Sequence, residues 1–194
     1  MKQTLEVSDL LNIIDYEKQR DTYRKDVIEY KKNRRFKLGP NILITFENSK
    51  TMKFQIQEMM RAERMVHDNQ IEEELNVYNP LIPQGEELSA TLFIEITDPE
   101  KIRPVLNDFI GLTKGEYVFF DIDGSKVFGE FELGREKEDN ISSVHYIRFS
   151  FSDEQKKNFA DDSGSVSINI EYNDYKYSIN LTNEKKKSLS SDFS

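Results

Sequence analysis

YVFFDIDGSKVFGEFE, residues 117–132, decides how this chain is read. Two runs rich in β-branched and aromatic residues, YVFFDI and KVFGEFE, meet through Asp123-Gly124. That pair is among those best suited to the left-handed backbone of a two-residue hairpin turn, so the stretch predicts two antiparallel strands. The same residues put Asp121, Asp123, Gly124 and Glu130 at positions 3, 5, 6 and 12 of a calcium-loop pattern. Position 1 would then be Phe119, which has no ligand oxygen, and strands rather than helices flank the segment. The turn is the better account.

Further strands follow from the same period of two. ELSATLFIEIT, residues 87–97, sets Leu88, Ala90, Leu92, Ile94 and Ile96 on one face. SSVHYIRFSF, residues 142–151, puts His145 on the apolar face with Ile147, Phe149 and Phe151. SVSINIEY and YKYSINLT form a last hairpin turning at Asn173-Asp174, and ILITFEN, residues 42–48, reads as a buried strand.

Helical patterns dominate the first half. Ser8 is a candidate cap for the short turn DLLNII, and Asp15 for a helix reaching about Arg34. Tyr16, Tyr23, Val27 and Tyr30 give that helix an inward stripe and leave most of its basic residues to solvent. LGPN, residues 38–41, ends it. Helices are expected over about 50–66 and from Asp68 or Asn69 to about Val77, where YNPLIP stops the second. Asp98-Pro99 opens a short helix toward Gly111 that Pro104 should kink or delay. Ser152 caps another in SDEQKKNFADDS. The prediction is an α+β fold: N-terminal helices packed on a mainly antiparallel sheet with C-terminal hairpins. Residues 1–182 are expected to form a single domain, and residues 183–194 a disordered Lys/Ser-rich tail.

Composition limits what the chain can be. At 194 residues with no cysteine, it has no disulfides, thiolate metal sites or cysteine nucleophile. No run approaches the roughly 18 apolar residues of a membrane span, and MKQTLEVSDLL lacks a secretory h-region, so a cytoplasmic protein with no membrane partner is expected. A net charge of −9 makes nucleic acid an unlikely partner. The charge is uneven, however, since residues 16–37 hold nine basic and four acidic side chains, a local +5. Such asymmetry can attract an acidic partner or another part of the same chain.

FQIQEMMRAERM, residues 54–65, together with Met52, holds every methionine but the initiator. On a helix Met52, Ile56, Met59, Met60 and Val66 share an apolar face, with Glu58 and Arg61 spaced to pair on the surface. Core packing and a malleable docking face both fit. The partner-binding candidates are Met52, Met59, Met60 and Met65, with Arg34 and Arg35. Glu63 and His67 are four apart, but the chain has only two histidines, and no metal site is predicted. Phosphate-cradling loops, the nucleophile elbow and the zinc-protease motif are all missing from the sequence. An acid, base or ligand role for His145 would need a carboxylate from a neighbouring element, such as Glu87 or Glu95.

FENSKTMKFQIQEMMRAERM, EELNVYNPLIPQGEELSATLFIE and VHYIRFSF together resemble an uncharacterised bacterial family, the domain-of-unknown-function family DUF3501, over about Leu5 to Leu181. The resemblance implies no assigned activity and no cofactor. It does imply a cytoplasmic setting and genes encoded beside rubrerythrin-like and iron–sulfur oxidoreductase proteins, hence a redox or peroxide-stress context with a redox protein as partner. The matching segments supply the candidate polar site: Gln55, Gln57, Glu58, Arg61, Glu63, Tyr78, Asn79, Glu87, Glu95, His145 and Arg148, with Ser89 alongside. Two functions are therefore expected to compete. One is a non-catalytic accessory or partner-binding protein. The other is an enzyme or metal-binding protein whose Glu58, Glu63, His145 and arginines converge in one pocket.

Overall fold

Eight strands that alternate apolar and polar residues can bury one face only by joining a common sheet, and they do so. The computed structural model describes residues 4–134, 136, 137 and 140–193. Its strands are β1 (Arg35–Leu38), β2 (Ile42–Glu47), β3 (Glu87–Ile94), β4 (Val118–Ile122), β5 (Ser125–Phe131), β6 (Glu136–Lys137), β7 (Asn140–Ile141), β8 (Val144–Ser150), β9 (Val166–Tyr172) and β10 (Tyr175–Asn180). Eight form one sheet in the order β1-β2-β3-β8-β5-β4-β9-β10, while β6 and β7 pair separately. Every pairing is antiparallel, so the architecture is the expected α+β. The turn of the 117–132 hairpin has positive φ at both Asp123 and Gly124, as its sequence requires. The Asp121 carboxylate accepts from the Gly124 amide and Asp123 from the Ser165 amide, which is turn chemistry rather than cation ligation.

The sheet curls until its two ends meet. Tyr175 on β10 donates its hydroxyl to the Leu38 carbonyl at 2.5 Å and accepts from the Asn41 and Ile42 amides at 3.0 and 3.1 Å. Gly39 makes this possible, with φ +71 and a Tyr177 ring carbon 2.4 Å from where a Cβ would sit. The enclosed core includes Phe36, Phe46, Leu88, Phe120, Ile147, Phe149 and Ile168, all at 0% exposure. β1 is not among the strands expected from sequence, which has the first long helix reach about Arg34 and LGPN break it.

Helices lie outside this barrel: α1 (Ile13–Lys32), α2 (Ser49–Glu63), α3 (Asp68–Tyr78), α4 (Ile102–Asp108), α5 (Asp153–Ala160) and α6 (Asn183–Ser190). Asn12, not Asp15, caps α1, its side chain accepting from the Asp15 amide. Asn48 caps α2 and Ser152 caps α5, each in a reciprocal capping box. A 3₁₀ turn over Pro99–Lys101 precedes α4, so Pro104 falls in the helix's first turn, where its missing N–H breaks no intrahelical bond. No helix among the described residues is long and apolar enough to cross a membrane.

The tail corrects the sequence reading. Residues 183–190 are helix α6, capped by Thr182, and Leu189 is fully buried. Lys186 is buried as well, donating to the carbonyls of Asp161 and Gly164 at 2.5 and 2.8 Å. Phe193 stacks edgewise on Phe151 and Phe159. A tail that looked polar by composition is held by the carbonyls and aromatic rings it finds on folding.

Arg34 is the second correction. Expected on the solvent side as a partner-binding residue, it is at 0% exposure. Its guanidinium donates to the carbonyls of Phe46 and Ser188 at 3.0 and 2.7 Å and pairs with the buried Asp192 carboxylate. Removing one member of such a pair strands the other charge without water. Asp192→Ala should therefore lower the unfolding free energy by ~3–5 kcal/mol in urea titrations. A loss under about 1 kcal/mol would mean that the C-terminal segment contributes little to the fold.

Candidate functional site

The predicted polar residues are spread over six separate places. On the α1–α2 interface, Arg20 grips Glu58 through two bonds of 2.8 Å, and the Tyr16 hydroxyl donates to the same carboxylate at 2.7 Å. Arg61 turns instead to Glu17, at 2.6 Å, so the expected Glu58–Arg61 surface pair does not form. An interhelical partner offers two-point contact that an i, i+3 neighbour cannot. The Arg20 guanidinium holds the Glu58 carboxyl below its ordinary range against the opposing effect of burial. Burial and the Glu58 charge together push the Tyr16 phenol well up.

Gln57 and Asn79 act as straps. Gln57 accepts from the Leu11 amide at 2.6 Å and donates to the Leu11 carbonyl at 3.0 Å. Asn79 does the same to Leu5, at 2.8 and 2.9 Å. Each side-chain amide imitates a strand partner and fixes the residues that lead into α1.

On the outer sheet surface, Arg148 pairs with Glu87 at 2.6 Å and also reaches the Pro80 carbonyl. Lys37 pairs with Glu95. Neither carboxylate faces His145, which lies inside the barrel at 0% exposure, with its Nε2 2.7 Å from the Ser142 carbonyl and its ring edge-on to Phe131. Glu63 is exposed at the end of α2. The pocket expected from Glu58, Glu63 and His145 is thus not assembled: one is on the α1–α2 seam, one at a helix end and one in the core. Among the described residues, no group of three or more His, Asp or Glu side chains is gathered as a metal site requires.

Of the predicted polar-site residues, Gln55 and Tyr78 do line a cavity, together with Arg35 and Met52 from the partner-binding candidates. It holds about 270 Å³ between the outer face of β2, β3 and β8 and the helical layer. Lys31, Arg35, Thr45, Glu47, Thr91 and Tyr146 supply its other polar groups, and Met52, Leu81, Phe93 and Val144 its apolar ones. Strand register aligns Thr45, Thr91 and Tyr146 in one row across three strands. Glu47 is 5% exposed, and Thr91 donates to its Oε1 at 3.3 Å. Lys31 stands 3.8 Å from Oε2, beyond direct hydrogen-bond reach. Burial pulls the Lys31 ammonium down from the usual lysine range, while the Glu47 charge opposes that shift.

Lys31, Glu47, Thr91 and Tyr146 were not singled out from sequence. The available signal was Thr45 and Glu47 at alternate positions of ILITFEN, and Ser89 and Thr91 in the next strand. In strands covered on both faces, such a polar row marks a buried polar surface rather than a solvated one.

A second cavity, about 360 Å³, is apolar. It runs between residues 7–14 and the junction of α2 with α3, lined by Leu10, Ile14, Met60, Met65, Val66 and Ile71 among others. Arg64 takes a left-handed conformation that ends α2, swinging Met65 inward to 9% exposure and Val66 outward to 67%. Val66 therefore leaves the apolar face on which it was expected. Met52 and Met60 are buried and Met59 half-buried, so the methionines serve mainly as core.

A near-closed antiparallel barrel with helices strapped on its outer face makes this an α+β protein. The chain belongs to DUF3501, a family of unknown function, whose model matches residues 4–193. A crystal structure of a protein of unknown function from Burkholderia pseudomallei is similar, at 29% identity and TM-score 0.90 over 98% of this chain and all of that one. No curated protein matches.

Folding lowers the Glu58 carboxyl, so the unfolded chain takes up its proton first as the pH falls. The stability from this clamp is present above the ordinary carboxylate range and is lost as the pH falls through the lowered folded value. Glu58→Gln should cost about 1–2 kcal/mol at neutral pH, allowing for partial exposure. In denaturant titrations at successive pH values, the two stability curves should converge on acidification. Parallel curves down to about pH 3 would rule the clamp out as a source of acid sensitivity.

Proposed function

We propose that this protein is a non-catalytic accessory protein of the bacterial cytoplasm that works by docking a segment of another protein. The observation carrying this reading is the apolar groove beside α2, with Ile14 and Val66 exposed at 71% and 67% next to Met60 and Met65. Large apolar side chains so exposed, adjoining a concave surface, favour burial against a partner. Thioether side chains adapt to differently shaped anchors. Among the described residues of the lining Asp68 is the only charged one, so the occupant that fits is an aliphatic or aromatic anchor with a Lys or Arg beside it. The family resemblance adds the setting: a redox or oxidative-stress system, with a rubrerythrin-type or iron–sulfur protein as the partner.

A benzophenone amino acid at position 66 should crosslink such a redox protein in the host cytosol, and Ile14→Asp should cut the yield at least tenfold while leaving circular dichroism unchanged. Crosslinking only to a second copy of the chain, or equal yields with and without the substitution, would overturn the reading.

A further inference from the structure

The cavity between β2, β3, β8 and the helices has chemistry that the docking groove lacks. Buried carboxylates are normally supplied with donors, because an ionised oxygen removed from water and left bare is costly. Glu47 departs from this. Its Oε1 receives the Thr91 hydroxyl and its Oε2 is buried with no hydrogen-bond partner, while the residue as a whole lines the cavity. The nearby cation, Lys31, stops 3.8 Å away. Thr45, Gln55, Tyr78, Thr91 and Tyr146 add neutral donors and acceptors to the same wall.

The charges have an order. Glu47 is on the buried side, at 5% exposure, while Lys31 is half-buried and Arg35 exposed. An occupant would therefore meet an acceptor at depth and two cations nearer the mouth. Met52, Leu81, Phe93 and Val144 leave apolar surface beside this axis. A volume of about 270 Å³ is small for a drug-sized molecule and suits a metabolite of modest size.

We propose that this cavity binds a small aminocarboxylate, its ammonium donating to the Glu47 carboxylate and its carboxylate held by Lys31 and Arg35. The ammonium supplies the donor that Glu47 lacks. The carboxylate gives Lys31 a second anionic neighbour, which offsets the burial that disfavours its charge. A free amine would compete with Lys31 for Glu47 while adding no anion for Lys31 and Arg35, and a simple carboxylate would leave Glu47 Oε2 without a hydrogen-bond donor and add repulsion. The pairing thus selects for both groups on one molecule.

The test is calorimetric titration of the full chain with each of the twenty proteinogenic amino acids, then with the decarboxylated amine and deaminated acid of any that binds. Sub-millimolar binding is expected for at least one, weakened at least tenfold in both single-function analogues. Glu47→Gln should weaken binding at least tenfold by removing the anionic acceptor. Val144→Trp should do the same by filling the cavity without touching Glu47, which keeps the question open to test if the Glu47 variant folds poorly. Absence of binding by every amino acid overturns the proposal. So does binding that Val144→Trp leaves intact, that a folded Glu47→Gln protein retains in full, or that either analogue reproduces.

Discussion

A guanidinium shut away from water must find a partner for nearly every N–H it carries, and Arg34 finds its partners on several parts of the chain at once. It donates to Phe46 at the end of β2 and to Ser188 on α6, and it pairs with Asp192 beyond that helix. Asp192 also accepts from Asn48, whose other amide atom caps α2 and whose Nδ2 reaches the Tyr30 hydroxyl at 2.7 Å on α1. Three helices and a strand are therefore joined through one buried cluster. Burying two charges is not in itself a route to high stability, since desolvation offsets much of the attraction. What the cluster supplies is position: none of its members can move without leaving a charge bare.

That constraint reaches the cavity directly. Arg34 and Arg35 are neighbours at the start of β1, so fixing Arg34 inward on one side of the strand turns Arg35 to the other. Arg35 is paired in register with Thr45, and Glu47 lies two residues further along the same face of β2. Lys31 is in the last turn of α1, three residues before the anchor. All three charged residues of the cavity are thus set by the cluster that Arg34 organises, and its depth by where α2 starts at Asn48. A surface rich in threonine and glutamate would ordinarily face water. Here the helices cover it, and space remains between.

The strand hairpins were legible because their information is local. Asp123-Gly124 and Asn173-Asp174 specify turns from two residues, and alternation specifies which side chains face inward. Helix starts were legible where the cap stood alone, as with Ser152, and slipped where several candidates were close, as with Asn12 and Asp15. The fate of the last twelve residues was not legible. Lys186 and Asp192 look like solvated charges until the Asp161 carbonyl and Arg34 are brought to them from 25 and 158 positions away. Composition cannot record a partner so distant in sequence. The same blindness scattered the candidate site: Gln57, Glu58 and Asn79 stand out as polar residues in family-like segments, yet each is engaged in holding helices or the N-terminal segment together.

Those structural engagements are what make the groove a defined surface. Its walls include residues 7–14, a stretch with only a 3₁₀ turn at Val7–Asp9 before α1 begins. Such a segment has little reason of its own to stay in place, and ordering each residue costs about 1–2 kcal/mol of backbone entropy. The Asn79 and Gln57 amides grip it at Leu5 and Leu11, on either side of the turn, while Leu5, Val7 and Leu10 lay apolar side chains against α2 and α3. Holding the segment at both ends confines it without filling the space beneath it. Met60, Met65 and Ile71 therefore form the floor of a groove whose walls are already ordered, so that under the proposed docking function less ordering would be left to oppose binding.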